Sequence, residues 1–248
     1  MTQTLGDWLD DGPFALAMSS GFFAFYAHAG MLAALTERGL RPSAVSGSSA
    51  GALIGGAWAA GAEPDELARA LLGLRRPDFW DPAPGLGLLA GRRFDAVLRA
   101  LLPTPTLEAC RVPAALSVFD LRTRATRVLT RGDLATAIRA SCAVPGMFHP
   151  VAVDGRPTWD GGILDRPGTA GLPPGRALLH HIASRSPWRR PGSPALVPPR
   201  RRDLTTLVLA DLPRSGPFRL DAGRRAFAQA RTQTTRALDL PVADVVHA

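Results

Sequence analysis

Residues 44–60, AVSGSSAGALIGGAWAA, leave a chain few ways to fold. A short apolar run reaches Ser46, a knot of serine and glycine follows, and a stretch dominated by Ala and Gly begins at Gly51. This pattern predicts a strand over Ala44–Ser46, a tight bend, and a small-residue helix over Gly51–Ala60 packed close under a sheet. Of the three serines in the bend, only Ser49 has glycine two positions before it (Gly47) and two after it (Gly51). G-x-S-x-G between a strand and a helix is the setting of a nucleophile elbow. The central residue is forced into a strained backbone conformation, and side chains at the two flanking positions would collide. The helix that follows aims its positive end at the serine oxygen. A bend that merely needs small residues reads the same way in a chain with 25 glycines, so the pentapeptide alone does not establish chemistry.

The same alternation runs along the chain. Further strands are predicted at Phe14–Met18, Ala114–Asp120, Arg127–Thr130, Ala177–Ser184 and Leu204–Ala210. Helices are predicted over Phe22–Arg38, which Gly39 would terminate, from Glu63-Pro64-Asp65-Glu66 onward, and over Phe94–Leu102, Leu134–Cys142 and Leu220–Leu240. Val151–Val153 and Arg156–Trp159 flank Asp154-Gly155 as a β-hairpin. Residues 77–106, rich in Pro and Gly, read as a cap or connection, and Arg185–Arg202 as a Pro/Arg-rich loop. Short strands alternating with helices point to an α/β fold of three layers, with a mostly parallel central sheet flanked by helices. The 248 residues suit one domain, with a core over about 14–165 and a closing strand and helix over 204–240.

A serine hydroxyl needs a base. The five histidines offer little at the level of sequence. His28 lies in an apolar helix, His149 sits between Phe148 and Pro150, and His180 and His181 fall in a strand. His247 is penultimate and expected to fray, with Asp244 three positions before it. The other candidate is a carboxylate acting directly. Thr158-Trp159-Asp160-Gly161-Gly162 puts Asp160 just past a predicted strand, and its two glycines permit close approach of another element. A hairpin end or an Asx-turn accounts for the same residues.

Taken together, GSSAG, the later Ala140–Phe148 segment ASCAVPGMF and Asp160–Gly162 resemble the patatin-like phospholipase family. That family carries G-x-S-x-G, then an A-S-x-A-x-P-x-x-F-like segment, then D-G-[GA], in this order. The likeness runs from about Phe14 to Asp165 and weakens toward LTTLVLADLP. It implies a patatin-like fold and a Ser–Asp dyad without histidine, with Ser49 as nucleophile and Asp160 as base. It also implies an oxyanion hole of backbone amides after the first strand, here Ser20, Gly21 and Phe22, with the Ala50 amide as a further donor. Gly30 matches a glycine further along the same helix. The family's glycine triplet and following basic residue are replaced by Ser19-Ser20-Gly21-Phe22-Phe23-Ala24, which removes a cation from the place where a phospholipid head group would lie. The implied reaction is acyl transfer from a phospholipid, lysophospholipid or acylglycerol ester to water, without metal or cofactor. Transfer to another acceptor, or a catalytically silent binding or scaffold role, are the alternatives. Phe22, Phe23, Phe25, Phe79 and Trp80 are candidates for an acyl pocket, although such spacings also suit a core.

Composition narrows the setting. Cys110 and Cys142 form no disulfide framework or metal-ligand spacing and suit a reducing compartment, which points to the cytoplasm. The start, MTQTLGDWLDDGP, lacks the basic residues of a secretory leader, and no apolar run is long enough for a transmembrane helix. The net charge of +8 is carried by arginine alone, with lysine absent, which reads first as codon bias. Trp188 among Arg185, Arg189, Arg190 and Arg200–Arg202 suits peripheral contact with an anionic membrane surface, and a solvated, codon-biased loop accounts for the same residues equally well. A single tyrosine and no recognisable binding motif argue against nucleic acid as a partner.

Overall fold

The computed structural model describes residues 2–183, 193 and 196–248. In chain order its elements are α1 (Leu5–Asp10), β1 (Ala15–Met18), α2 (Phe25–Glu37), β2 (Ala44–Ser48), α3 (Ala50–Ala59), α4 (Pro64–Gly73), β3 (Gly87–Leu89) and α5 (Arg92–Leu101). They continue with β4 (Ala114–Asp120), β5 (Ala125–Leu129), α6 (Leu134–Ser141), β6 (Gly146–Phe148), β7 (Val151–Val153) and β8 (Arg156–Asp160). The last are β9 (Ala177–His181), β10 (Leu204–Val208), α7 (Leu220–Ala237) and β11 (Val245–His247). A central sheet runs β11-β10-β9-β1-β2-β4-β8-β7, with β5 on the far edge of β4. The six strands from β11 to β4 are parallel, and β5, β7 and β8 are antiparallel. This is the expected α/β class.

Alternation along β1 sorts the two faces. Leu16 and Met18 enter the large core beneath the helices, whereas Ala15 and Ala17 join a smaller cluster with Ala44, Ala177 and Leu179 that Leu172 packs against. Every residue of α3 is buried, as a helix of small residues wedged under a sheet must be. α2 and α7 pack so closely that a Cβ at Gly30 would lie 2.3 Å from the Phe227 carbonyl oxygen.

β4 positions the site. Its residues 116–120 pair with β5 along one edge, so its partners along the other edge must share it. β2 takes that edge up to Ser48, opposite Ser117, and β8 takes it from Val118 onward, ending at Asp160. The two strands run in opposite senses and meet end to end. Ser49, the residue just past the tip of β2, and Asp160, at the tip of β8, are thereby brought together although they lie 111 positions apart in sequence.

Several expectations shift. α2 starts at Phe25 rather than Phe22, because Phe23 adopts φ 55° and the Ala24 N–H closes a turn on the Gly21 carbonyl. The acidic N-terminal segment forms α1: Thr4 and Asp7 build a capping box, and Leu5 and Leu9 are buried. His247 is not frayed; it belongs to β11, paired beside Val208. The 77–106 connection contains β3, which pairs with β6 in a two-stranded sheet. α7 stops at Ala237, three residues early, and β9 at His181. Trp188, Arg185, Arg189 and Arg190 lie outside the described residues, as does Ser184 at the end of the predicted strand.

Candidate active site

Ser49 joins β2 to α3 with φ 53° and ψ −117°, a conformation that costs a non-glycine residue about 1–3 kcal/mol. The flanking glycines are sterically required. A Cβ at Gly47 would approach the Gly51 carbonyl carbon to 2.6 Å, and one at Gly51 would approach the Met18 carbonyl oxygen to 2.0 Å. The strain is held by bonds on both sides of the peptide. The Ser49 N–H donates to Ser141 Oγ at 2.8 Å, and Ser141 Oγ donates to the Ser117 carbonyl at 2.7 Å. The Ser49 carbonyl accepts the Leu53 N–H at 3.0 Å and the Cys142 thiol at 3.2 Å. The segment Ala140–Phe148 was singled out in the sequence, but these bracing roles for Ser141 and Cys142 were not. Burial, and then the neighbouring Asp160 carboxylate, hold the Cys142 thiol well above its ordinary pKa.

Asp160 ends β8, its N–H bonded to the Ala143 carbonyl at 2.9 Å. Its Oδ2 accepts the Ser49 hydroxyl at 2.6 Å and its Oδ1 accepts the Gly162 N–H at 2.8 Å. Both side chains are buried, Ser49 at 7% exposure and Asp160 at 5%. The two glycines allow this closeness. A Cβ at Gly161 would sit 2.1 Å from the Ser117 carbonyl oxygen, and one at Gly162 would sit 2.2 Å from Ser20 Oγ. Beyond them, Asp165 takes the Ser117 hydroxyl at 2.6 Å and the amides of Thr169 and Ala170 at 3.1 and 3.0 Å, which ties the following loop to β4. Asp165 lies at the edge of the family-like segment, and no local pattern marked its role.

Of the amides expected to bind an oxyanion, that of Ser20 is already engaged. It donates to the Arg166 carbonyl at 2.7 Å, because the 165–168 segment runs alongside this loop. The N–H groups of Gly21 and Phe22, and that of Ala50 in the first turn of α3, have no acceptor among the described residues. All three residues border the cavity that contains Ser49 and Asp160.

None of the five histidines is hydrogen-bonded to Ser49. His28 Nε2 lies 2.8 Å from the Ser19 carbonyl and must carry the proton there. Its Nδ1 therefore accepts from His180 Nδ1–H, also at 2.8 Å. Burial pushes His28 down to about 4 and His180 well below its ordinary value. This neutral pair backs the start of the loop at Ser19, whose Oγ accepts the Ile182 N–H at 2.8 Å.

The cavity has a volume of about 1270 Å³. Phe22, Phe23, Phe25 and Phe79 line it as expected, joined by Phe94 and Phe148. Trp80 does not. It is half-buried and meets the Phe218 ring edge to face, with centroids 5.4 Å apart. A large apolar chamber ending at a buried hydroxyl–carboxylate pair suits a substrate with a long hydrocarbon part and one reactive polar group. Among the described residues no cluster of three or more His, Cys, Asp or Glu could hold a metal ion.

A family model described as patatin-like phospholipase matches residues 16–172. An uncharacterized NTE family protein of Mycobacterium tuberculosis is 38% identical over 159 residues, covering 61% of this chain and 43% of that protein. Neuropathy target esterase sws of Drosophila melanogaster is 25% identical over 170 residues, covering 65% of this chain and 12% of its own length. The chain thus spans less than half the length of these curated relatives. Among solved structures, VipD from Legionella pneumophila superposes with a TM-score of 0.56 at 16% identity, over 92% of this chain and 67% of that one. That likeness shows a shared fold.

Proposed function

This chain belongs to the patatin-like phospholipase family, and we propose that it is a serine hydrolase of lipid carboxylic esters working through Ser49 and Asp160. The observation that carries the proposal is the 2.6 Å bond from Ser49 Oγ to Asp160 Oδ2 at the wall of a 1270 Å³ apolar cavity. Asp160 accepts the hydroxyl proton as Oγ attacks the ester carbonyl carbon. The tetrahedral oxyanion takes hydrogen bonds from the amides of Gly21, Phe22 and Ala50, each donor contributing about 3 kcal/mol. The carbonyl–oxygen bond to the alcohol then breaks, and Asp160 returns its proton to the leaving oxygen. In the second half Asp160 takes a proton from water, hydroxide attacks the acyl-enzyme, and the proton goes back to Ser49 as the acid departs.

The substrate reading is a phospholipid, lysophospholipid or acylglycerol ester, with residues 1–248 as one catalytic domain. No helix among the described residues is long and apolar enough to cross a membrane. With two free thiols and that feature, the proposed setting is the cytoplasm, with access to lipid from a membrane surface. The decisive experiment is hydrolysis of short- and long-chain p-nitrophenyl esters by the native protein, Ser49→Ala and Asp160→Asn, with folding checked by circular dichroism. Turnover should fall by roughly three orders of magnitude or more in both folded variants. Activity surviving in Ser49→Ala ends the proposal. Product analysis with an added alcohol acceptor separates hydrolysis from transfer.

A further inference from the structure

Seven large apolar side chains are exposed among the described residues, and they are not scattered. Five belong to the cavity wall or to segments that adjoin it. Phe22, 44% exposed, is part of its wall, and Leu164 directly follows the wall residue Ile163. Leu86 and Leu88 belong to the β3 hairpin-like segment, which pairs with β6, and Gly146–Phe148 of β6 are wall residues. Phe218, 68% exposed, stacks on Trp80, the neighbour of the wall residue Phe79. Single exposed apolar residues need no explanation, but several of them on segments that form or adjoin the wall of one apolar cavity mark a contact surface.

Charge says what kind of surface. The Arg76 guanidinium lies 5.1 Å from the Phe218 ring and 5.8 Å from the Trp80 ring, a cation held over both aromatics. Arg76 and the wall residue Arg214 are both exposed, and neither has a carboxylate partner among the described residues. Aromatic rings with arginine beside them, adjoining an apolar cavity, match the chemistry of a lipid–water interface. The rings suit the boundary between head groups and acyl chains, and the guanidinium suits phosphate.

We propose that this lip docks the protein onto a bilayer carrying anionic head groups. The proposal rests on reading the cavity as a lipid-ester site. Phe218, Leu86 and Leu88 enter the head-group boundary, Arg76 and Arg214 meet lipid phosphates, and an acyl chain passes from the bilayer into the cavity without crossing water.

The test measures binding and turnover separately. Ser49→Ala protein, which leaves the vesicles intact, is sedimented with vesicles of phosphatidylcholine and with vesicles containing about 30% phosphatidylserine. The expected result is tighter partition onto the anionic vesicles. Adding Phe218→Ser with Leu86→Ser lowers that partition about tenfold or more. Adding Arg76→Gln lowers it about fivefold, on the anionic vesicles alone. In the active background these substitutions leave hydrolysis of a soluble short-chain ester within about twofold of native. Should the double variant lose short-ester turnover through misfolding, Arg76→Gln decides. Native-like vesicle binding by the lip variants, or no vesicle binding by the parent, overturns the proposal. If binding behaves as expected but the native protein hydrolyses no ester, the docking surface stands and the hydrolase reading falls.

Discussion

Acid should weaken this fold as pH falls below about 6.5, and the buried His28–His180 pair sets where. His28 is held at about 4 in the fold, against 6.5 in a free chain. Between those values the unfolded chain binds a proton that the folded chain refuses, so stability is fullest above pH 6.5 and declines as pH falls toward 4. For one such site the loss between pH 7 and pH 5 is about 2 kcal/mol. His180 and His181 are shifted the same way by burial and deepen the slope. Carboxylates held low by partners, such as Asp133 at about 2 beside Arg99, lose their contribution only as pH drops below 3.8, outside this window. Urea denaturation followed by tryptophan fluorescence at pH 7, 6 and 5 reads the effect as a midpoint shift of roughly 1 M over the range. His28→Gln with His180→Gln should be less stable at pH 7 and show a flatter profile. A native midpoint that stays constant from pH 7 to 5, or an undiminished slope in the double variant, refutes the reasoning.

Gly51→Ala puts a methyl group 2.0 Å from the Met18 carbonyl oxygen and should cost about 3 kcal/mol or more. Gly73→Ala, with nothing within 4 Å, should be neutral or stabilise by up to about 1 kcal/mol, and the two denaturation midpoints test the contrast. Ser141→Ala removes the acceptor for the strained Ser49 N–H and should cost about 1–3 kcal/mol, with a fall in kcat larger than any rise in KM. Leu53→Phe adds bulk to a cavity wall and should lower turnover of long-chain p-nitrophenyl esters roughly tenfold relative to short-chain ones.

The sequence was most legible where local physics decides the outcome. The β2–Ser49–α3 bend was readable because only glycine fits at positions 47 and 51, and the β7–β8 hairpin because Asp154 and Gly155 both take positive φ, 50° and 70°. The features that escaped are those set by distant partners. β11 is three residues long and exists because β10 offers an edge. The β3–β6 pair joins segments with no strand pattern of their own. The Ser20 amide, free to bind an oxyanion as far as the sequence tells, donates to the Arg166 carbonyl about 146 positions away. The histidines could be read as structural from their apolar surroundings, but not as a neutral pair hydrogen-bonded Nδ1 to Nδ1 behind the loop at Ser19.

The meeting of Ser49 with Asp160 is a consequence of register. Side chains alternate faces along β8, so a slip of one residue against β4 would carry the carboxylate to the opposite face of the sheet. That register is pinned from two directions. The Asp154-Gly155 turn fixes Val153 opposite Arg156, and the pairing of Val118 with Asp160 fixes the end of the strand. The Asp160 N–H bond to Ala143 adds a tie from the same segment whose Ser141 braces Ser49. Both members of the pair are therefore held by one edge of β4 and one short stretch at the C-terminal end of α6, residues 141–143, on rigid elements rather than on long loops. In the proposed reaction, holding the two groups in reach before substrate arrives removes an ordering cost. It also explains how a carboxylate takes the place beside the serine while each buried histidine is committed elsewhere.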